Sequence, residues 1–292
     1  VVRLLPYAPA LFVLLWSTGF IGARLGMPHA EPISFLLVRY GIAVAILVLL
    51  GTLARVPWPR GNQIWHSMIV GILIHGLYLG GVFWAIDHGM PAGISAMIVG
   101  LQPLFTAALA GILLKEHVGK QLWFGLVLGF VGLVFVLWPK LNVSGSGINF
   151  ATVSAALLAM AGITIGTLYQ KRFIRNDDAN YDMRSANCVQ YIGAAIPSLI
   201  YVLCFEQFQI TWNGESIFAM AWLVIILSIV AIFILMMLIE QGEISKLSSL
   251  FFLVPASTTI IAWGLFGETL SLWQLVGMGI CGIAVFIARS SK

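Results

Sequence analysis

The chain is a succession of apolar runs, most of them close to twenty residues long, separated by short polar connections. An α-helix needs about 20 predominantly apolar residues to cross the hydrocarbon core of a bilayer. Lipid offers no water to main-chain N–H and C=O groups, so each run must satisfy its own backbone, as a helix does. By that measure about ten spans are expected, at roughly 5–24, 33–53, 65–87, 92–114, 120–139, 148–170, 183–204, 217–239, 245–266 and 272–289. The connections carry turn-forming residues, as in "VPWPRGN" at 56–62, "NVSGSG" at 142–147 and "RNDDAN" at 175–180. A composition of 60% hydrophobic and 9% charged residues leaves no room for a large soluble domain. The first run, Leu5 to Ala23, is followed by no clear cleavage site and reads as the first spanning helix.

The net charge of +4 is scattered between apolar runs rather than gathered in a stripe, which argues against a nucleic-acid partner. It records topology instead. With a cytoplasmic amino terminus, twelve basic residues fall on inner loops and tails, including Arg55, Arg60, Lys115, Lys120, Lys171, Arg172 and Lys246, and two, Arg24 and Lys140, fall outside. This bias predicts that both termini are cytoplasmic. Most tryptophans lie near span ends, where membrane-interface anchors belong; Trp16 lies mid-span. The three cysteines, Cys188, Cys204 and Cys281, offer neither a disulfide framework nor metal-ligand spacing, and no metal or cofactor is expected.

Two stretches, "GLQPLFTAALAGILLKE" at 100–116 and "FLVPASTTIIAWGLFGE" at 252–268, each place a proline thirteen residues before a glutamate, Pro103 to Glu116 and Pro255 to Glu268. Three weaker echoes accompany them: "VRYG" at 38–41 with "VQYIG" at 189–193, "AIDHGM" at 85–90 with "LIEQGE" at 238–243, and "WSTGFIGAR" at 16–24 with "ITIGTLYQK" at 163–171. All four pairs lie 147 to 153 residues apart. Five spans per half is an odd number, so the second half enters the membrane upside down. The expected architecture is an all-α integral membrane protein of two inverted five-helix repeats, residues 1–140 and 141–292, with a site at their interface near the midplane.

These features, together with "LWST" in span 1, Arg39 in span 2 and the small-residue pattern ending in "SAM" around 85–97, resemble the drug/metabolite transporter superfamily and its EamA-type exporters. The "LWST" start also looks like the YddG-type amino-acid exporters. The resemblance implies a multi-pass inner-membrane exporter of amino acids or similar metabolites. An aromatic residue expected before the span-4 proline is Gln102 here, a departure that argues against strict aromatic selectivity.

Polar groups at mid-depth must face protein or a water-filled cavity, and they mark the candidate site. Gln102 and Thr106 are one turn apart, and Pro103 frees a carbonyl one turn earlier. They form either a substrate contact or a kink satisfied by a neighbouring helix. The matching spot in the second half is Pro255 with Ser257, Thr258 and Thr259; Pro103 and Pro255 are the candidate hinges. His75 and Tyr78 lie near the middle of span 3, and the repeat sets Ser228 opposite His75. The imidazole is either a cavity group that binds a carboxylate or titrates, or a neutral ring bonded across a helix interface. Trp16 either bounds a cavity or fills space, and Ser17 and Thr18 either join it or bond back to their own helix. Arg39, about two turns below the outer end of span 2, is expected to bond helix-end carbonyls or face the outer headgroups rather than take a carboxylate.

Glu116 and Glu268 sit at span ends as solvated or paired charges, and no carboxylate lies well inside a span, so a buried-acid proton relay is not expected. Gly76 with Gly80, Gly125 with Gly129 and Gly162 with Gly166 are small-xxx-small pairs expected to bring helices close. The partners implied are a small-molecule substrate and membrane lipid. The leading reading is secondary transport by alternating access, through a cavity bounded by spans 1, 3, 4, 6, 8 and 9. Drug or other metabolite export is the alternative on the same scaffold, a channel is another, and a membrane enzyme is disfavoured by the absence of H-E-x-x-H and G-x-S-x-G motifs.

Overall fold

The structure is a computed structural model that describes residues 7–102, 104–106, 109, 120–138, 147–173, 181–234, 253–268 and 270–289. Pro103, Lys115, Glu116 and Lys140 therefore lie outside the described residues. Within the described set the regular elements are helices: α1 (Ala8–Gly26), α2 (Pro32–Leu53), α3 (Asn62–Asp87), α4 (Ala92–Val99), α5 (Lys120–Leu137), α6 (Phe150–Phe173), α7 (Met183–Phe205), α8 (Gly214–Ile234), α9 (Leu253–Phe266) and α10 (Leu272–Arg289). Among them, α1, α2, α3, α6, α7 and α8 contain stretches long and apolar enough to cross a membrane. The other four are shorter apolar helices, α4 continuing in this character to Thr106.

Two helices widen at mid-length. α3 is π-helical over Ile72–Leu79 and α8 over Leu223–Ala231. Such i→i+5 turns are rare and concentrate at functional sites.

Several helix starts are completed by side chains from elsewhere in the chain. α2 opens on Pro32, and its next free N–H groups, those of Ile33 and Ser34, donate to the Glu206 carboxylate at the end of α7, at 3.0 and 2.7 Å. α4 is treated alike: the N–H groups of Ala92 and Gly93 donate to Glu268 beyond α9, at 3.2 and 3.4 Å, with Arg24 Nε 3.9 Å from the same carboxylate. The first four N–H groups of a helix lack intrahelical partners, and an anion there also meets the positive end of the helix dipole. Glu268 thus serves a second helix instead of standing as a solvated end charge. α7 is capped locally by Asp182, whose carboxyl is held below the usual carboxylate range chiefly by hydrogen bonds from Arg184.

Packing crosses between the two halves. α1 lies against α8 and α9, and α6 lies against α3 and α4; α2 pairs with α7, and α5 with α10. Exchanging α1–α5 with α6–α10 maps this set of contacts onto itself, as two equivalent halves would require. Phe20, Phe35, Leu36, Tyr40, Phe83, Tyr191 and Leu223 form the buried centre. Leu49, Leu53, Phe130, Leu203, Phe218 and Phe286 stand exposed on the outside, the arrangement expected when the solvent is lipid.

Candidate substrate cavity

A cavity lies where α1, α2, α3, α7 and α8 converge. A second, smaller chamber lies among α1, α3, α4, α6 and α9. Trp16, Phe20 and Tyr78 belong to both walls, so three aromatic rings form the partition between them. Mostly apolar walls with a few convergent polar groups are the usual character of a small-molecule site.

In the first chamber the polar groups come from Arg39, His75, Tyr78 and Tyr191. His75 and Tyr78 sit in the widened turn of α3 and are both buried. The His75 ring stacks on Tyr191, centroids 4.2 Å apart, and the His75 main-chain carbonyl accepts the hydroxyl of Tyr40. His75 Nε2 is buried and without a hydrogen-bond partner among the described residues, although Asn187 and Gln190 lie beside the ring. Arg39 is 5% exposed, and its Nε and Nη2 donate to Ser228 Oγ at 3.3 and 3.2 Å. That hydroxyl donates in turn to the Leu223 carbonyl at 3.2 Å. Arg39 lies about two turns into α2, as expected, but the facing expected from the sequence is corrected: its head group turns to the protein interior, not the headgroups, because a hydroxyl on α8 and the cavity wall receive it.

The second chamber holds Gln102 on one wall and Val254 on another. Gln102 Nε2 donates to Thr106 Oγ1 at 3.0 Å and to Thr167 Oγ1 of α6 at 3.5 Å. Gly100 and Pro255 meet directly: a side chain at Gly100 would collide with the Pro255 ring. The start of the first stretch, at Gly100, therefore packs on Pro255 of the second beside the chamber.

The structure thus gathers Trp16, His75, Tyr78 and Gln102 around the chambers and sets Ser228 behind Arg39. It does not bring every expected residue there. Ser17 is fully buried in the α1–α9 contact, bonding Val13 O at 2.7 Å and Val254 O at 3.3 Å. Thr18 donates to Leu15 O at 2.6 Å and accepts Trp222 Nε1 at 2.9 Å. Both hydroxyls are spent on helix packing. Thr106 touches Gln102 without lining a chamber, and Ser257 is half-buried and lines neither. Arg39 and Tyr191 add α2 and α7 to the walls; the signal for Tyr191 was its place in "VQYIG", the echo of "VRYG".

Comparison with known proteins bears on what such a cavity does. The model of the EamA-like transporter family matches the chain twice, over residues 8–138 and 150–290. The "Uncharacterized inner membrane transporter YedA" of Escherichia coli is 26% identical over 99% of this chain and 92% of its own length. A "Probable amino-acid metabolite efflux pump" of Salmonella typhimurium is 23% identical over 95% of this chain and 92% of its own. A chloroplastic WAT1-related protein of Arabidopsis thaliana is 26% identical over 94% of this chain, which spans 66% of its length. One solved crystal structure superposes with a TM-score of 0.68 at 16% identity over 97% of this chain and 98% of that one, a likeness of fold alone.

Proposed function

We infer that this chain, which belongs to the EamA-like transporter family, is a multi-pass inner-membrane transporter that exports amino acids by alternating access. The observation that carries the reading is the aromatic partition of Trp16, Phe20 and Tyr78 between two chambers where helices of both halves meet. A carrier must hold its substrate at a point that either side can reach, and an interface between repeats is where the two halves can rock about it. Mostly apolar walls with one guanidinium and one imidazole suit a small zwitterion bearing an apolar side chain better than a polyphosphate, which would demand more cations. The Salmonella relative's name supports the same class.

The residues proposed to line the path are Trp16, His75, Tyr78 and Gln102. Halves bounded at 140/141 would rock with Pro103 and Pro255 as hinges, both termini on the cytoplasmic side. Gln102, where an aromatic side chain was expected, favours a range wider than aromatic amino acids, and export of other small metabolites is the neighbouring reading on the same fold. Each carboxylate among the described residues stands at a helix end or in a connection, so any proton coupling falls to His75.

The test is reconstitution of the full chain in liposomes with single aromatic and aliphatic amino acids, with and without a pH gradient. Saturable uptake that is accelerated by the same amino acid on the opposite side supports a carrier. Flux that neither saturates nor exchanges marks a channel, and no flux of any amino acid ends the amino-acid reading. His75→Ala should abolish any dependence on the pH gradient.

A further inference from the structure

Among the described residues Arg39 is a buried cation without a buried anion. Its guanidinium carries five N–H donors, and two of its nitrogens share one neutral acceptor, the Ser228 hydroxyl. The ion pairs among the described residues are Arg24 with Glu268, His29 with Glu215, His88 with Asp87 and Arg184 with Asp182, so no carboxylate is within reach of Arg39 there. A charge in this position is costly unless something compensates it, and intramembrane charges usually face a cavity or a ligand. A second group of the same wall is incompletely paired: His75 Nε2, on a side chain 6% exposed, has no well-formed hydrogen bond among the described residues, although the Asn187 and Gln190 side chains lie beside the ring. The sequence echo of "VRYG" and "VQYIG" sets Gln190 opposite Arg39, so the charge is present at one of two repeat-related positions, and of the two chambers it lines the first.

We propose that Arg39 and His75 together form the carboxylate subsite of the first chamber, so that the substrate's own carboxylate is the missing counter-ion. The class of ligand is a small organic acid with one free carboxylate. Its oxygens take the unused guanidinium donors and the Nε2–H of a neutral His75, and its apolar remainder lies against Trp16, Phe20 and Tyr78. Ser228 is a positioning residue that fixes the guanidinium plane. The proposal rests on the transporter reading, but not on the substrate being an amino acid.

The test uses the reconstituted full chain and competition against labelled phenylalanine counterflow. Phenylalanine, phenylalanine amide, phenethylamine and N-acetylphenylalanine are compared, with tryptophan-fluorescence titration of the same four compounds as an independent binding readout. The two acids should bind about tenfold to a hundredfold more tightly than the amide and the amine, the span of a charge-assisted hydrogen bond. Arg39→Gln should collapse that ratio, Arg39→Lys should keep part of it, and Ser228→Ala should lower it by a smaller factor that Ser228→Thr restores. Equal binding of phenylalanine and its amide to the wild type overturns the proposal, whether or not the variants fold. An unchanged ratio in a folded Arg39→Gln protein overturns it too, and leaves Arg39 as a tie between α2 and α8. The two readings fail separately. Binding of N-acetylphenylalanine that needs Arg39, in a protein that moves no amino acid, sinks the amino-acid reading and keeps the subsite; amino-acid transport with no preference for acid over amide does the reverse.

Discussion

Gln102 shows how a single residue departs from an otherwise equivalent pair. Its repeat counterpart is Val254, and both face the second chamber. Aside from Gln102, the wall of that chamber is apolar except for the Trp16 and Tyr78 heads. Gln102→Val should therefore leave the fold unaltered, since valine already occupies the equivalent position. A substrate that hydrogen-bonds the amide should lose about 0.5–1.5 kcal/mol, read as a roughly twofold to thirteenfold rise in KM with little change in maximal rate. If KM in counterflow does not move, the amide serves only Thr106 and Thr167. Residues of this kind were legible because a polar or bulky group at mid-span is conspicuous: Trp16, His75, Tyr78 and Gln102 all stood out that way. Arg39 was misjudged because counting turns from a helix end gives depth but not azimuth. For Ser17 and Thr18 the sequence left two alternatives, and the structure shows the back-bonded one, since a hydroxyl can disappear into its own helix's carbonyls without any trace in the sequence.

The α3 helix and its repeat counterpart α8 are both widened where they pass the site, over Ile72–Leu79 and Leu223–Ala231. Nothing in the sequence announces this, because both stretches are apolar on nearly every face and a π-turn alters the ladder rather than the pattern. The turn accommodates extra residue length locally, leaving the flanking α-helical segments in place. Deleting Leu77, which is 40% exposed and packs its Cβ and Cγ against Gly162 of α6, should let α3 return toward i→i+4 bonding. Asn62–Gly71 and Gly80–Asp87 would keep their neighbours while His75 and Tyr78 rotate away from the chamber. Normal insertion and a monodisperse protein with transport reduced at least a hundredfold is the expected result; near-normal transport would mean that the widened turn is not what aims these side chains. The long spans themselves were readable to within a few residues, as with Pro32–Leu53 against 33–53. The capping of α4 by Glu268 was not, because a carboxylate at one helix end carries no mark of the second helix it serves.

At the scale of the whole molecule, several helix pairs among the described residues are held at distances that only a missing side chain permits. Membrane helices gain no hydrophobic drive from packing on one another, so close main-chain approach and van der Waals contact carry more of the association. Spacing in the sequence found part of this: Gly162 and Gly166 do lie tight against Leu73, Ile74 and Leu77 of α3. Gly76, by contrast, has its nearest neighbouring atom 3.9 Å from where a side chain would begin. The tighter approach in α3 is at Gly71, where an added Cβ would collide with the main-chain carbonyl of Gln190 on α7, and Gly193 of α7 answers it, with Met68 Cα only 2.6 Å from its own would-be Cβ. Small-xxx-small spacing cannot distinguish these cases, since it names a stripe and not the partner that faces it. The α3–α7 contact also sets Gln190 and Tyr191 beside His75, so it joins stability to the site. Gly71→Ala and Gly76→Ala make the same chemical change on one helix with different consequences. Gly71→Ala should cost about 3 kcal/mol, the upper part of the range for overpacking, because the obstacle is main chain that cannot rotate aside. Gly76→Ala should be neutral or slightly stabilising, as alanine is the better helix former. Thermal midpoints of the purified proteins in one detergent separate the two, and equal midpoints would mean that α3 and α7 do not approach as closely as the structure places them. Where Gly71→Ala still folds, the wider gap should loosen the His75–Tyr191 stack and weaken binding of a carboxylate ligand, whereas Gly76→Ala should leave that binding unchanged.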